Sequence, residues 1–170
     1  MTNPLRVNAA ELLRRPGTEK HLDLELAVAD LAIDDDRFVA SDPVRVLLRL
    51  ESLTDGIVVT GEVVARWHGL CRRCAEPAGG ELHSDVHELY QETVTDPDAF
   101  PLEGEQLDLE PMVRELLLLD APRTPLCRDD CAGLCPQCGT DLNTGSCSCD
   151  DAPADPRWAA LDQLKGIVED

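Results

Sequence analysis

The sequence predicts an α+β fold: an antiparallel sheet with a few helices and a small, cysteine-rich C-terminal lobe similar to a zinc ribbon. Three observations lead to this expectation. Apolar residues alternate with polar ones in several stretches between residues 22 and 90, which is typical of half-buried strands. Residues 109–119 instead repeat apolar side chains at helical spacing. Six of the eight cysteines lie between Cys127 and Cys149.

The alternation predicts four strands, each with one face toward the core and one toward solvent. An Asp-Gly pair at residues 55–56 marks a hairpin turn between the second and third strands. The third strand ends directly before Cys71 and Cys74, so we expect this cysteine pair at the tip of a strand–turn–strand unit. The four stretches are residues 22–28, 44–50, 57–67 and 82–90.

Capping and breaking residues predict three helices. Asn8 begins a short helix that Pro16 ends after about two turns. Asp108 begins a longer one, with Pro111 in its first turn, where a missing N–H is tolerated. A last helix begins near Asp155, and we expect it to pack on the protein itself, with partner binding as the alternative. The apolar face of the second helix comprises Leu109, Met112, Val113, Leu116, Leu117 and Leu119, and that of the last comprises Trp158, Leu161, Leu164 and Val168.

Two connections carry many acidic residues. The triplet of aspartates at residues 34–36 lacks the ligand spacing of a calcium loop and is interpreted as a solvated turn. Residues 94–107 are rich in proline and acidic side chains, which is typical of a linker or mobile loop. The chain is thereby divided into an α+β domain at 1–126, a zinc-binding cysteine cluster at 127–150 and a C-terminal helix at 151–170.

The formal net charge of −19 argues against a broad nucleic-acid surface, because such a protein repels phosphate. Residues 75–120 concentrate this charge, with 13 acidic residues against Arg114 alone. Basic proteins are the partners that this charge favours. No apolar run approaches the length of a membrane span, and no secretory signal opens the chain, so we expect a cytoplasmic protein with reduced thiols.

The eight cysteines form four closely spaced pairs, which is what two four-thiolate zinc sites require. Reduced thiols disfavour disulfides. The spacing of Cys131, Cys135 and Cys138 also fits a radical-SAM iron–sulfur loop, but the large α/β barrel that such chemistry needs is missing from the pattern. A ferredoxin-like cluster is disfavoured because it leaves further cysteines unexplained. The pairs are Cys71 with Cys74, Cys127 with Cys131, Cys135 with Cys138, and Cys147 with Cys149.

The pairs can be joined into two sites in three ways. We favour one site that clamps the hairpin tip to the end of the second helix, and one within the tail, where Gly139 favours a tight turn. The other partitions, and a single zinc with the other thiols free, stay open. The favoured sites are Cys71, Cys74, Cys127 and Cys131, and Cys135, Cys138, Cys147 and Cys149.

No catalytic residues are predicted. Four-thiolate zinc sites are closed, whereas catalytic zinc keeps an open position. The histidines near the first pair are His68, His83 and His87, and the last two fall on the polar face of a strand. No Ser/His/Asp, phosphate-loop or dinucleotide pattern occurs. Two structural Zn²⁺ ions are therefore the expected cofactors, and no small-molecule substrate is expected.

One short stretch departs from the acidic balance. Residues 66–74 carry three arginines and a tryptophan without any acidic residue. Arginine beside an aromatic ring at an exposed tip can contact RNA phosphate and stack on a base, although these arginines could instead pair with the protein's own carboxylates. The candidate RNA-contacting residues are Arg66, Trp67, Arg72 and Arg73.

Four motifs occur in a specific order: L-C-R-R-C-A-E-P, D-L-E-P-M-V-R-E-L-L-L-L-D-A-P, P-L-C-R-D-D-C-A-G-L-C-P-Q-C-G-T-D-L-N and D-P-R-W-A-A-L. This order resembles the YceD family of bacterial and plastid proteins, the large ribosomal RNA subunit accumulation proteins. The eight-cysteine form is similar to the actinobacterial branch.

The resemblance implies a role in accumulation of large-subunit ribosomal RNA, and hence in ribosome biogenesis, without catalysis. The family gene commonly neighbours that of a small basic zinc-ribbon protein of the large ribosomal subunit. A basic large-subunit ribosomal protein, large-subunit ribosomal RNA or both are thus the implied partners. The competing functions are an Fe–S or zinc enzyme that acts on RNA, and a general zinc-ribbon interaction module.

Overall fold

The computed structural model describes residues 3–149 and Arg157. The apolar face predicted for the last helix lies outside the described residues. Within them the protein is α+β, as predicted, with seven strands, two α-helices and one 3-10 helix. In chain order these elements are β1 (Arg6–Asn8), α1 (Ala10–Arg14), β2 (Glu19–Ala27), the 3-10 helix (Val28–Leu31), β3 (Pro43–Ser52), β4 (Ile57–Leu70), β5 (Pro77–Gln91), β6 (Phe100–Pro101), β7 (Gln106–Asp108) and α2 (Glu110–Asp120).

A five-stranded sheet in the order β2-β3-β4-β5-β6 forms the body of the protein. The first four strands are antiparallel neighbours, and they correspond to the four predicted strands. The long β4–β5 hairpin pairs Ile57 with Tyr90 at one end and Leu70 with Pro77 at the other. Gly61 has φ +144°, and a side chain there would collide with the carbonyl oxygen of Leu47. The hairpin tip carries the first cysteine pair.

One face of the sheet is buried and the other faces solvent. Val59 on β4 and Val46 on β3 are fully buried, whereas Arg45 and His83 on the opposite face are exposed. Helix α2 covers the buried face, and its Met112, Val113 and Leu117 are buried as predicted. Leu119 was predicted on the same apolar face, but it is 57% exposed, because helical periodicity places it at the margin of that face.

The segment predicted to be a linker or mobile loop, residues 94–107, is built into the fold. Strand β6 within it pairs in parallel with the end of β5, and β7 pairs antiparallel with β1 near the N-terminus. Leu102 and Leu107 in this segment are buried. The prediction was wrong because composition does not reveal two-residue and three-residue strands that pair over long sequence distances.

Both described helices begin near the predicted capping residues. The Asp108 carboxylate accepts a hydrogen bond of 3.1 Å from the N–H of Glu110 at the start of α2. The Asn8 side-chain oxygen accepts one of 2.9 Å from the N–H of Ala10. Helix α1 spans five residues, so it is shorter than the two turns predicted. Among the described residues, no helix has the length and apolarity needed to cross a membrane.

The acidic triplet also has a structural role that the sequence prediction missed. The Arg37 guanidinium binds the Asp35 carboxylate at 2.7 Å and donates to the carbonyl oxygens of Leu118 and Ala121, at 3.2 and 2.7 Å. These are orphan carbonyls at the C-terminal end of α2. The hydrogen bond with Arg37 lowers the pKa of Asp35. Asp34 and Asp36 are exposed, as a solvated turn would be, but Asp35 helps to anchor α2.

Candidate metal centre

The first cysteine pair lies in a tight turn at the tip of the β4–β5 hairpin. The N–H of Cys71 donates to the carbonyl oxygen of Glu76 at 2.8 Å, and the N–H of Ala75 donates to the carbonyl oxygen of Cys71 at 2.8 Å. Ala75 has φ +61°, a left-handed conformation that costs a non-glycine residue about 1 kcal/mol. The turn places the sulfurs of Cys71 and Cys74 on its inner side, where both residues are buried.

The chain leaving α2 brings the second cysteine pair to this tip. The N–H of Arg72 donates to the carbonyl oxygen of Pro125 at 2.9 Å. The guanidinium of Arg73 donates to the carbonyl oxygen of Cys131 at 2.7 Å, and the carbonyl oxygen of Arg73 accepts from the N–H of Leu134 at 3.0 Å. Backbone pairing thus fixes the distance between hairpin tip and tail independently of the sulfurs.

Sulfur–sulfur distances in this first set match a metal-binding tetrahedron. The Sγ atoms of Cys71 and Cys131 are 3.7 Å apart, and those of Cys74 and Cys127 are 3.6 Å apart. A disulfide requires about 2.05 Å, whereas a tetrahedron with Zn–S bonds of about 2.3 Å has edges of about 3.8 Å. All four sulfurs lie within 4.8 Å of one another, so they can share one ion.

The second set lies within the tail and repeats the turn of the first. The N–H of Cys135 donates to the carbonyl oxygen of Thr140 at 2.8 Å, and the N–H of Gly139 donates to the carbonyl oxygen of Cys135 at 2.9 Å. Gly139 has φ +74°, as expected for the residue after a cysteine turn. The sulfurs of this set also lie within 4.8 Å of one another, and they belong to Cys135, Cys138, Cys147 and Cys149.

The structure thus gathers the eight cysteines into the partition favoured from the sequence, with Cys71, Cys74, Cys127 and Cys131 in one set. All eight are free thiols. Exposure separates the two sets. Three members of the first set are buried, whereas Cys135 alone is buried in the second. Metal ligation by either set stays a prediction, and the geometry is compatible with it.

Asn143, in the loop between Cys138 and Cys147 of the second set, contacts Cys131 of the first set, and the sequence analysis did not single it out. Its side-chain oxygen accepts from the N–H of Ala132 and from the guanidinium of Arg128, both at 2.8 Å. Its amide group approaches the sulfur of Cys131 at 3.6 Å and donates to the Asp141 carboxylate at 2.7 Å. An amide N–H beside a thiolate stabilises the charged form and orients the ligand. The Asp-Leu-Asn run in the connection was the available signal.

Neighbouring thiols oppose one another's ionisation. Loss of solvent disfavours the Cys71 thiolate, but backbone hydrogen bonds, led by that of Cys127, outweigh it and lower the pKa of Cys71 to about 6. Loss of solvent, followed by the neighbouring sulfurs, raises the pKa of Cys127 to about 12. In the second set, the Thr140 side chain lowers the pKa of Cys138 to about 6, while Cys138 raises that of Cys149 to about 12. Four thiolates together therefore need a central cation.

The donor atoms of both sets are sulfurs only, which is typical of closed structural sites and selects soft or borderline metals. His68 binds the Asp42 carboxylate at 2.7 Å, and His83 binds the Glu62 carboxylate at 2.7 Å. His83 and His87 are exposed on the open face of the sheet, where the sequence analysis placed them. No histidine belongs to either sulfur set in the described part of the chain.

The structure separates two of the predicted RNA-contacting residues, and contact with RNA stays a prediction for all four. Arg66 and Trp67 are neighbours on β4, so their side chains point to opposite faces of the sheet. Arg66 is exposed, whereas the Trp67 ring packs against the core. Arg73 is engaged with the carbonyl oxygen of Cys131. Arg72 is exposed at the hairpin tip.

Fold and site together define a class: a small α+β protein whose antiparallel sheet carries half of a four-sulfur set and whose cysteine-rich tail supplies the rest. The family model described as "Large ribosomal RNA subunit accumulation protein YceD" matches residues 59–165. That match covers more than half of the chain and includes both sulfur sets. The chain belongs to the YceD family, which confirms the resemblance stated above.

Relatives in bacteria and plants agree with this assignment. An uncharacterized protein of Mycobacterium tuberculosis is 33% identical over 183 residues, which cover 100% of this chain and 86% of the relative. An uncharacterized protein of Mycobacterium leprae is 29% identical, and the alignment covers 96% of this chain and 79% of that relative. A protein of Arabidopsis thaliana is 24% identical, and the alignment covers 69% of this chain and 44% of that relative. Its name is large ribosomal RNA subunit accumulation protein YCED homolog 1, chloroplastic. No solved structure matches the chain.

Proposed function

We propose that this protein is a non-enzymatic ribosome-biogenesis factor needed for accumulation of large-subunit ribosomal RNA. The observation that carries the proposal is the family match over residues 59–165, since the family is described by that role. The matched region contains the β4–β5 hairpin, α2 and the cysteine-rich tail.

We further propose that each sulfur set holds one structural Zn²⁺. Two sulfur–sulfur distances of 3.7 and 3.6 Å in the first set, with all four sulfurs within 4.8 Å of one another, support this assignment. When bound, zinc would supply charge neutralisation for the thiolates and a cross-link between chain segments. The protein itself pre-forms the first set through the backbone bonds of Arg72 and the guanidinium bond of Arg73.

The partner we propose is a basic protein of the large ribosomal subunit. The charge of −19, with 13 acidic residues and one basic residue between 75 and 120, favours a basic partner and accelerates association with it. Binding should weaken steeply as salt rises, because exposed charges are screened within about 10 Å at 0.1 M salt.

Direct contact with ribosomal RNA is the second candidate. It is favoured by Arg66 and Arg72, which are exposed and form no ion pair with another described residue. Glu81 lies directly opposite Arg66 in the β4–β5 register, so the alternative that this arginine pairs with the protein's own carboxylates stays open. Arg73 is already engaged, so Arg66 and Arg72 are the residues to replace.

The experiment that tests the proposed function is complementation. In a strain that lacks the gene, large-subunit ribosomal RNA is expected to fall relative to small-subunit ribosomal RNA, and the intact chain is expected to restore it. The Arg66→Ala/Arg72→Ala variant separates the two partners: it should restore accumulation if a basic protein is the partner and fail if RNA contact is essential. Unchanged ribosomal RNA in the deletion strain contradicts the proposed function.

A further inference from the structure

A groove of about 410 Å³ runs between the end of β5, the segment that contains β6, and the outer side of α2. Its floor is apolar and accessible: Leu119 is 57% exposed, and Phe100 and Leu116 are half-buried. The Phe100 ring stacks on Tyr90 with centroids 5.2 Å apart, so it is held in place from below. Exposed apolar side chains next to one another on a protein surface mark interaction sites more often than isolated ones do.

Three carboxylates line the rim of the groove: Glu88, Asp98 and Glu115. None of them forms an ion pair with another described residue. Loss of solvent, followed by the charges of Glu115 and Asp98, raises the pKa of Glu88. Some acidic side chains elsewhere do have a cationic partner, as Glu19 has in Arg49. The charge of His87 opposes the rise in the pKa of Glu88, but the described residues that line the groove include three carboxylates and no basic side chain.

We infer that this groove binds a basic, amphipathic segment of a protein partner, with one apolar side chain on the floor and lysine or arginine side chains against the rim. The inference specifies how the basic partner proposed above would be recognised, and it rests on that proposal. Hydrophobic anchors surrounded by complementary charge are the usual arrangement of such interfaces.

The negative charge of the groove rim argues against three other occupants: RNA, the chain's own C-terminal residues and a second copy of the chain. RNA would bring phosphates against three carboxylates. The chain's own residues 150–170 carry six acidic residues and two basic ones, so they are repelled by the same rim. A second copy of the chain brings a net charge of −19. A basic segment alone gains from both features of the groove.

Three synthetic 15-residue peptides test the inference with the full chain. The first carries lysines and arginines around one leucine, the second replaces that leucine by serine, and the third replaces the basic residues by glutamate. Fluorescence anisotropy should show the first peptide binding at least about tenfold more tightly than the other two. Equal binding of the first and second peptides, or no binding of any peptide, overturns the inference.

Variants locate the binding site. Glu115→Gln/Leu119→Ser removes one rim charge and one floor side chain, both exposed, and should weaken binding of the first peptide about tenfold. The matched control, Glu25→Gln/Leu53→Ser, makes the same changes at exposed positions elsewhere and should stay within about twofold. Equal losses in both variants would mean attraction by net charge alone and overturn the inference.

Cross-linking identifies the occupant. A photoreactive benzoylphenylalanine at position 119 of the full chain should form a product with the first peptide. Cross-links only to residues 150–170 of the same chain, or only between two copies, overturn the inference.

The complementation strain separates this inference from the proposed function. If the groove variant Glu115→Gln/Leu119→Ser restores ribosomal RNA as well as the control variant does, the groove is not the partner site, although the proposed function stands. If deleting the gene leaves ribosomal RNA unchanged, the proposed function itself fails. Restoration by the control but not by the groove variant supports both.

Discussion

Replacing Cys74 by serine removes one sulfur from the set that joins the hairpin tip to the tail. A cross-link between Cys74 and Cys127, whose sulfurs lie 3.6 Å apart, closes a loop of about 50 residues. The chain-entropy relation for such a closure gives a stabilisation of about 4 kcal/mol at 25 °C. Since small domains have total stabilities of about 5–15 kcal/mol, loss of this cross-link should lower the denaturant midpoint markedly.

Guanidinium unfolding followed by circular dichroism measures the effect. Cys74→Ser should lower the unfolding free energy by about 2–4 kcal/mol, and a zinc chelator should then have little further effect on the sheet. Cys138→Ser is the matched control, because its set closes only a short loop inside the tail. It should change the unfolding of the sheet by less than about 0.5 kcal/mol. Equal effects of both substitutions, or no effect of chelator on the native protein, would show that the first sulfur set is not a metal cross-link between hairpin tip and tail.

Four further predictions concern the sheet and its cover. Arg37→Ala leaves two carbonyl groups at the end of α2 without their donor and should cost about 1–3 kcal/mol of unfolding free energy; no loss contradicts the anchoring role. Gly61→Ala should lower the unfolding free energy by about 3 kcal/mol or more, because the new methyl group would collide with backbone atoms. Gly17→Ala is the control: its methyl group would meet open space, so it should lower the unfolding free energy by only about 1 kcal/mol. Tyr90→Phe should keep or raise stability in thermal melts, because the hydroxyl has no hydrogen-bond partner among the described residues. Because the pKa of Glu88 is raised in the folded protein, the free energy of unfolding falls as pH rises through that pKa. Glu88→Gln should therefore be more stable than the natural chain at neutral pH. The difference in unfolding free energy should vanish in acid.

Local patterns predicted four of the five strands of the main sheet and favoured, without establishing, the observed grouping of the cysteines. Alternation identifies the buried face of β4 because a period of two admits one register toward the core. Spacing identifies the cysteine pairs because a tight turn with one to three intervening residues brings two sulfurs together. The grouping of Cys71 and Cys74 with Cys127 and Cys131 could be favoured because the first pair was expected at the hairpin tip and the second follows α2 directly.

Non-local contacts account for what the sequence did not predict. Strands β6 and β7 are too short to show a pattern, and their partners are distant in sequence. Arg37 reaches the end of α2 across more than 80 positions. Ala75 occupies a left-handed position where glycine would be expected. Contact of Arg66, Trp67, Arg72 and Arg73 with RNA stays a prediction, and the alternation along β4 places Arg66 and Trp67 on opposite faces of the sheet.

Native mass spectrometry of the full chain, purified without chelator, shows whether the sulfur sets hold metal. We expect two zinc ions per chain, one for each four-sulfur set, with both lost when the thiols are acidified. A mass that corresponds to the bare reduced chain, to cystines, or to an iron–sulfur cluster would contradict this expectation.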